Sequence, residues 1–357
     1  MRAGLLRALL SDDAPRGRAL TVLLAAIVAG LAIAPFAFSG ARAINTAATI
    51  CVFVVLVASY DLLLGYTGIV SFAHTMFYGI GAYGVGLALG SMGPTWWAVF
   101  AGLAMALLVT VLLALAIGAL SLRVRALFFA MITLAVASAF NVLASQLSDF
   151  TGGEDGRNFS VPEWLRPGFR LVDAELFGRA IDGRLVTYYL VFVSSIAIFL
   201  VLLRIVNSHF GRVLLAIREN DFRAEALGYR TVVYRTLANC IAAVAATLAG
   251  ALMALWLRYV GPKTFLSFEV MTDILLIVVI GGMGRMYGAI VGAALFVLAQ
   301  NYLQTGMAAA AGKLADLPLL ARALHPDRWM LWMGLIFIAC VHYFPSGIVG
   351  RLRGRGG

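Results

Sequence analysis

Four histidines, 17 carboxylates and three cysteines could serve as bases, nucleophiles or metal ligands in this 357-residue chain. His74, His209, His325 and His342 match no H-E-x-x-H or other metal spacing. No G-x-S-x-G elbow and no paired-carboxylate arrangement is present. The nearest thing to a phosphate loop, "GMAAAAGKLA" from Gly306, has five residues between its glycines and Leu314 after Lys313. It fails the Walker pattern, so any ATP that drives this protein is hydrolysed by another chain. Cys51, Cys240 and Cys340 lie far apart in apolar runs, which suggests neither a metal knuckle nor a disulfide framework. The residue types therefore argue against an enzyme.

What remains is a dense block of mixed charge, "GRVLLAIRENDFRAEALGYR" (211–230), in a chain only 12% charged. On a helical projection Val213, Ala216, Ile217, Asn220, Ala224 and Leu227 share one face, and Arg218, Asp221 and Glu225 the other. The segment is amphipathic and too polar to span a bilayer. "REND" can end one short helix and start the next, because Asn220 and Asp221 are good N-cap residues, and Gly228 is a C-cap candidate. Such a helix could lie on lipid or dock a protein. Its arginines are offset by acids, whereas lipid-binding helices favour uncompensated Lys and Arg, so protein docking is the favoured reading.

The elements that must position this block are membrane helices. Composition is 62% hydrophobic and 12% charged, the latter far below the roughly 25% charged content of soluble domains. Apolar runs near 19–38, 44–64, 72–90, 95–120, 126–148, 186–204, 236–257, 270–283, 286–305 and 329–344 approach the roughly 20 residues a span needs. The expected fold is an all-α polytopic membrane protein with about eight to ten spans, some broken at Gly-rich segments. The first run is longer than the roughly 7 to 15 residues of a signal-peptide core, so it reads as an uncleaved helix. With residues 1–18 cytoplasmic, Arg123, Arg125, the 205–235 loop, Arg285 and the basic 346–357 tail, with Arg351, Arg353 and Arg355, all alternate onto that side, as the positive-inside rule requires. The same rule accounts for the net charge of +10 without nucleic acid. The 149–186 connection falls outside, and its Gly, Pro and Trp residues suggest an ordered loop that either docks an external partner or caps the bundle.

Two breaks interrupt the spans. "GYTGIVSFAH", with Gly65, Gly68, Ser71 and His74, and "GGMGRMYG", with Gly281, Gly282 and Gly284, put irregular backbone at membrane depth, tolerated only against protein or a water-filled cavity. They are candidates for the translocation path. His74 could line it, or be satisfied by a neighbouring helix. Gly288 and Gly292 continue a four-residue repeat from Gly284 that lets helices pack closely. Asp61 lies near a helix end, where its cost is low and its message weak. Glu269 and Asp273, four apart at a helix start, read as dipole complements. An ion-coupled carrier would also use broken helices but would want acids in mid-span.

The charged block resembles the cytoplasmic coupling loop of branched-chain amino acid ABC importer permeases of the LivM type, G-R-x-x-x-A-I-R-E-x-x-x-x-A-E-A-x-G. The stretches "YDLLLGYTGIVSFAHTMFYGIGAYG" and "SFEVMTDILLIVVIGGMGRMYGAIVGAAL" are similar to the same family, with departures at Asp61, Ala73 and Ala289. The resemblance covers about residues 44–350 and implies a single permease domain over 19–345. It implies ATPase docking through Gly211, Arg212, Arg218, Glu219, Asn220, Glu225 and Gly228. The implied partners are a homologous second permease, two ATP-binding subunits that use ATP and Mg, and a periplasmic or extracellular solute-binding protein. This chain itself would hold no cofactor and no metal. The implied solutes are branched-chain amino acids, or urea and short amides; the implied site is the bacterial inner membrane.

Overall fold

Inside a bilayer a segment must satisfy its own backbone hydrogen bonds, so apolar runs of this length become helices. The structure is a computed structural model that describes residues 17–38, 40–121, 126–176, 179–313, 328–344 and 346–352. The expected features at 1–16, Arg123, Arg125, His325, Arg353 and Arg355 lie outside the described residues. All ten apolar runs are helical: α1 Arg18–Ala37, α2 Ala41–Thr67, α3 His74–Met92, α4 Trp96–Ser121, α5 Ala126–Gln146, α6 Gly183–Asn207, then α9 Thr231–Leu257, α10 Phe268–Gly281, α11 Met286–Lys313 and α12 Trp329–Tyr343. The charged block supplies α7 His209–Glu219 and α8 Asp221–Ala226, and α13 Gly347–Leu352 follows α12. Eight helices among the described residues are long and apolar enough to cross a membrane. α3, diluted by Gly79, Gly81, Gly84, Gly86 and Gly90, is outside that set, and α12 is shorter.

α2 and α9 form the centre. Their most apolar windows are 89% and 72% buried, against 22% for α1 and α5, whose remaining surface faces outward. Trp97, Met105, Met131 and Val201 are among the large apolar side chains left exposed, which suits a surface solvated by lipid. Apolar burial drives little association in lipid, so close backbone packing must hold the helices together. α9 meets that need with Ala238, Ala242, Ala246, Ala249 and Ala254, none more than 1% exposed. Gly81 of α3 lies against the Thr247 carbonyl and Gly250 of α9 against the Tyr78 carbonyl. Thr247 Oγ1 also donates to Phe77 O at 3.1 Å and shares a 2.7 Å bond with Thr110 Oγ1 of α4. One polar cluster thus fastens three helices.

The described part of the 149–186 connection, residues 149–176 and 179–186, is ordered, as its composition suggests. β1 Arg157–Asn158 pairs antiparallel with β4 Tyr259–Val260, which binds the connection to the end of α9. β2 Arg170–Leu176 and β3 Arg179–Asp182 form a second antiparallel pair with an irregular register. Asp182 then caps α6 by accepting from Leu185 N at 3.0 Å.

Substituting Gly250 with Val forces a side chain into the Tyr78 carbonyl. Overpacking of this kind costs about 1–3 kcal/mol. The detergent-solubilised variant should unfold several degrees below the parent by thermal scanning. Gly306→Val, at a glycine with no neighbouring heavy atom within 4 Å, should shift the midpoint far less.

Candidate functional site

The charged block folds as two helices, not one. Asn220, extended at φ −158°, ψ 101°, ends α7 and caps α8, with its Oδ1 accepting from Arg223 N at 2.9 Å. The single-helix projection therefore fails beyond residue 219. Val213, Ile217 and Ala224 are buried in a small cluster against Tyr229 and Tyr234, as their spacing predicts, and Leu214 joins the main core. Ala216 and Leu227 are exposed instead of buried. Gly228, at φ +90°, closes α8: its N–H donates to Glu225 O at 2.9 Å and Tyr229 N–H donates to Ala224 O at 3.1 Å. That pair of bonds is a Schellman cap, and it needs a residue at ease with positive φ.

The seven expected docking residues divide by what they touch. Arg212 and Glu219 are exposed. Asn220 and Gly228 are caps. Gly211 is a packing position, because any side chain there would strike the Val206 carbonyl of α6. The Glu225 carboxylate accepts from Thr231 Oγ1 at 2.7 Å and ties α8 to the start of α9. Asp221 does likewise through Arg235 Nη1 at 2.7 Å. Arg218 is exposed overall, but its Nη1 reaches inward and donates to the Gly65 carbonyl. The outward surface carries two residues that charge-based reasoning passed over: Phe222, 83% exposed, and Leu227, 72% exposed. The detectable signal was an aromatic among charges two residues from buried Ala224, and therefore on the opposite face of a short helix.

Beneath this loop the two breaks meet. Gly68, at φ +72°, is the left-handed cap of α2. The Asp61 carboxylate, 2% exposed, accepts from Gly284 N through Oδ1 at 2.8 Å and from Arg285 N through Oδ2 at 3.1 Å. Those amides immediately precede α11, so Asp61 caps that helix from α2, placing negative charge at its positive end. The reading of Asp61 as a weak signal is corrected: its position near a helix end holds, but the side chain is buried and joins two elements. The findable signal was Gly65 four residues on, one helical turn away, where a bare backbone leaves room for the carboxylate to be approached.

The remaining path candidates sit within packed protein. His74, fully buried at the start of α3, has Nε2 2.9 Å from Ser59 Oγ and 3.3 Å from Leu56 O. A neighbouring helix thus holds one ring nitrogen, while Nδ1 is buried without a hydrogen-bond partner, and Ser71 is also buried. Gly281 faces Gly288 and Gly292 faces the Ile277 carbonyl, so α10 and α11 approach backbone to backbone. Gly282 lies against Ser346 and Gly347 of the C-terminal segment, while Gly284 borders the Arg218 guanidinium. A cavity of about 750 Å³ opens elsewhere, between α10, α11 and α12. Glu269 and Asp273 line one end of it, and Asp273 Oδ2 accepts from Gln300 Nε2 at 3.4 Å. Glu269 falls in the first turn of α10, whose cap is Ser267, but Asp273 is past that turn. No group of three or more potential metal ligands occurs among the described residues.

A bundle of apolar helices, broken at glycines and tied at one end to an amphipathic loop, defines a multi-pass all-α membrane protein of the permease kind. Residues 42–341 match the family described as branched-chain amino acid transport system / permease component, and the chain belongs to that family. It is similar to the high-affinity branched-chain amino acid transport system permease protein LivM of Salmonella typhimurium (strain LT2) and to that of Escherichia coli (strain K12). Identity to each is 27% over 274 residues, covering 73% of this chain. The chain spans 63% of the length of these curated relatives. No solved structure matches it.

The Schellman cap predicts a graded response at residue 228. Gly228→Val places a β-branched side chain in left-handed backbone, at roughly 1–2 kcal/mol, and should make the 220–230 segment cleave faster in limited proteolysis. Gly228→Asn, which tolerates that region better, should stay close to the parent rate.

Proposed function

We propose that this chain is one permease subunit of an ATP-driven importer in the bacterial inner membrane, with both termini cytoplasmic. Its cargo would be branched-chain amino acids or related small solutes such as urea or short amides. The observation that carries the reading is the two-helix loop: it offers Phe222 and Leu227 outward while Arg218 reaches back to the broken helices. Exposed aromatic and aliphatic side chains outside the spans are what a docking knob requires. A rigid connection inward is what a transmitter of movement requires. Family membership and the likeness to LivM proteins support the solute class.

In this reading a homologous permease completes the pore, and two ATP-binding subunits dock on the loops. A solute-binding protein delivers cargo to the face built from the 149–186 connection. ATP and Mg act in the docked subunits, whose closure displaces α7 and α8 and switches the access of the path. Of Asp61, Glu269 and Asp273, only Asp273, past the first turn of α10 and lining the cavity, is placed as an ion-coupled carrier would need. Asp61 has both oxygens committed to backbone amides, and Glu269 is exposed near a helix end.

Gentle affinity purification from native membranes tests the assembly. Two ATP-hydrolysing chains, a sister permease and a binding protein should co-elute. Replacing both Phe222 and Leu227 with Asp should strip the ATPases from an otherwise intact preparation. A Glu225→Lys, Gly228→Val double variant should insert normally but lose coupled uptake. Solitary elution, with solute movement in ATP-free vesicles under an ion gradient, would overturn the reading in favour of a secondary carrier.

A further inference from the structure

We propose that Asp61 is the positioning residue through which the loop helices act on the α10–α11 break, with Arg218 as its link to α7. The inference rests on the coupling reading above and adds the atoms that carry it. Two attachments converge on the last two turns of α2. Arg218 runs its stem across Gly68 and donates to the Gly65 carbonyl. One turn earlier, Asp61 holds the backbone N–H groups of Gly284 and Arg285. Gly65 must lack a side chain for this to occur, because a Cβ there would strike both the Asp61 carboxylate and the Gly284 amide.

The segment so held is the joint between two helices. Gly282, at φ +114°, and Gly284, at φ +75°, adopt backbone that other residues rarely take. Movement of α7 therefore reaches the end of α2 directly, and through the carboxylate reaches the residues where α10 stops and α11 begins. A carboxylate suits the position better than an amide. Two N–H donors need two acceptors, and an asparagine offers one acceptor and an NH2 group that would face an N–H. Charge-assisted bonds to backbone N–H are also the stronger kind. Deleting the carboxylate leaves two N–H groups unpaired where water is scarce.

The test is the number of leucine molecules taken up per ATP hydrolysed, measured on the purified, assembled complex in lipid vesicles. Asp61→Ala should lower that ratio roughly tenfold, the scale of coupling energies between linked sites. Arg218→Gln should lower it as well, and Asp61→Asn, which keeps one of the two bonds, should fall between. The double variant Asp61→Ala, Arg218→Gln should be no worse than the more damaging single change, because members of one linkage are not additive. Rescue by Asp61→Asn, and a reduced ratio in complexes that still assemble, separate positioning from a general loss of fold. If Asp61→Ala does not accumulate, Asp61→Asn and Arg218→Gln read the same ratio. Wild-type ratios in the assembled variants, or fully additive losses, would overturn the proposal. Phe222→Asp with Leu227→Asp serves as the reference. If that variant keeps its ATPases and its uptake, the coupling reading falls. If it loses them while the Asp61 and Arg218 variants keep the wild-type ratio, only the present inference falls.

Discussion

Backbone that leaves a helix at membrane depth must find hydrogen-bond partners in protein, and the organisation of one whole end of this molecule follows from that demand. Where α10 stops and α11 begins, two N–H groups have no partner within either helix. Asp61 supplies both acceptors from a third helix. The carboxylate brings negative charge to the positive end of the 28-residue α11. Those two bonds satisfy both oxygens of the buried carboxylate, and the Arg218 guanidinium lies nearby. Gly65 and Gly284 are required around it because their backbones approach too closely for side chains, and Gly68 because its backbone is left-handed. The C-terminal segment packs on the same joint through Gly282 and Gly347, and Arg285 Nη1 donates to Ser346 O at 3.3 Å. One ionisable residue thus organises four chain segments.

The opposite solution operates in the middle of the bundle. There, α3 and α9 meet through Gly81 and Gly250 against carbonyls, and threonine hydroxyls supply the polar contacts. Small residues give α9 a backbone surface on which its neighbours can lie without side chains between them. A scaffold fastened this way resists local rearrangement. The joints at the loop end are built instead from positive-φ glycines and side-chain bonds. Glycine serves both regions, at helical positions in the first case and in left-handed turns in the second.

Much of this was legible from the sequence. Ten apolar runs became ten helices because hydropathy over about 20 residues is a direct statement of where a chain can cross lipid. The charged block stood out by contrast, and its caps at Asn220 and Gly228 follow from local chemistry that does not depend on distant residues. The sequence could not show direction. Arg218 and Glu225 read as surface charges because the pattern places them on a polar face, and both are exposed, but each also bonds within the chain. Whether a long side chain on that face turns out to a partner or back to a carbonyl is set by a tertiary contact 153 residues away. Asp61 was discounted for a similar reason. Nearness to a helix end says that an acid is affordable there, but not that another helix begins beside it. For His74 the sequence allows path or packing, and the structure gives its Nε2 the Ser59 hydroxyl and the Leu56 carbonyl while Nδ1 stays buried without a partner.

The kink at Asn220 gives these details a common logic. A continuous helix from His209 to Ala226 would hold Val213, Ile217 and Ala224 on one face, pressed into the bundle, and fix every other side chain of the segment relative to that face. Breaking it lets the two halves turn independently. α7 keeps Val213, Leu214 and Ile217 against the bundle and sends Arg218 down to α2. α8 is anchored by Asp221 to Arg235 and by Glu225 to Thr231, so its acids face α9. Phe222 then turns outward, with Leu227 exposed at the C-cap. Charge holds the element in place and apolar surface is displayed, the reverse of what a helix resting on the bundle alone would need. Apolar groups left in water at the end of a firmly tethered arm are stabilised only when something covers them.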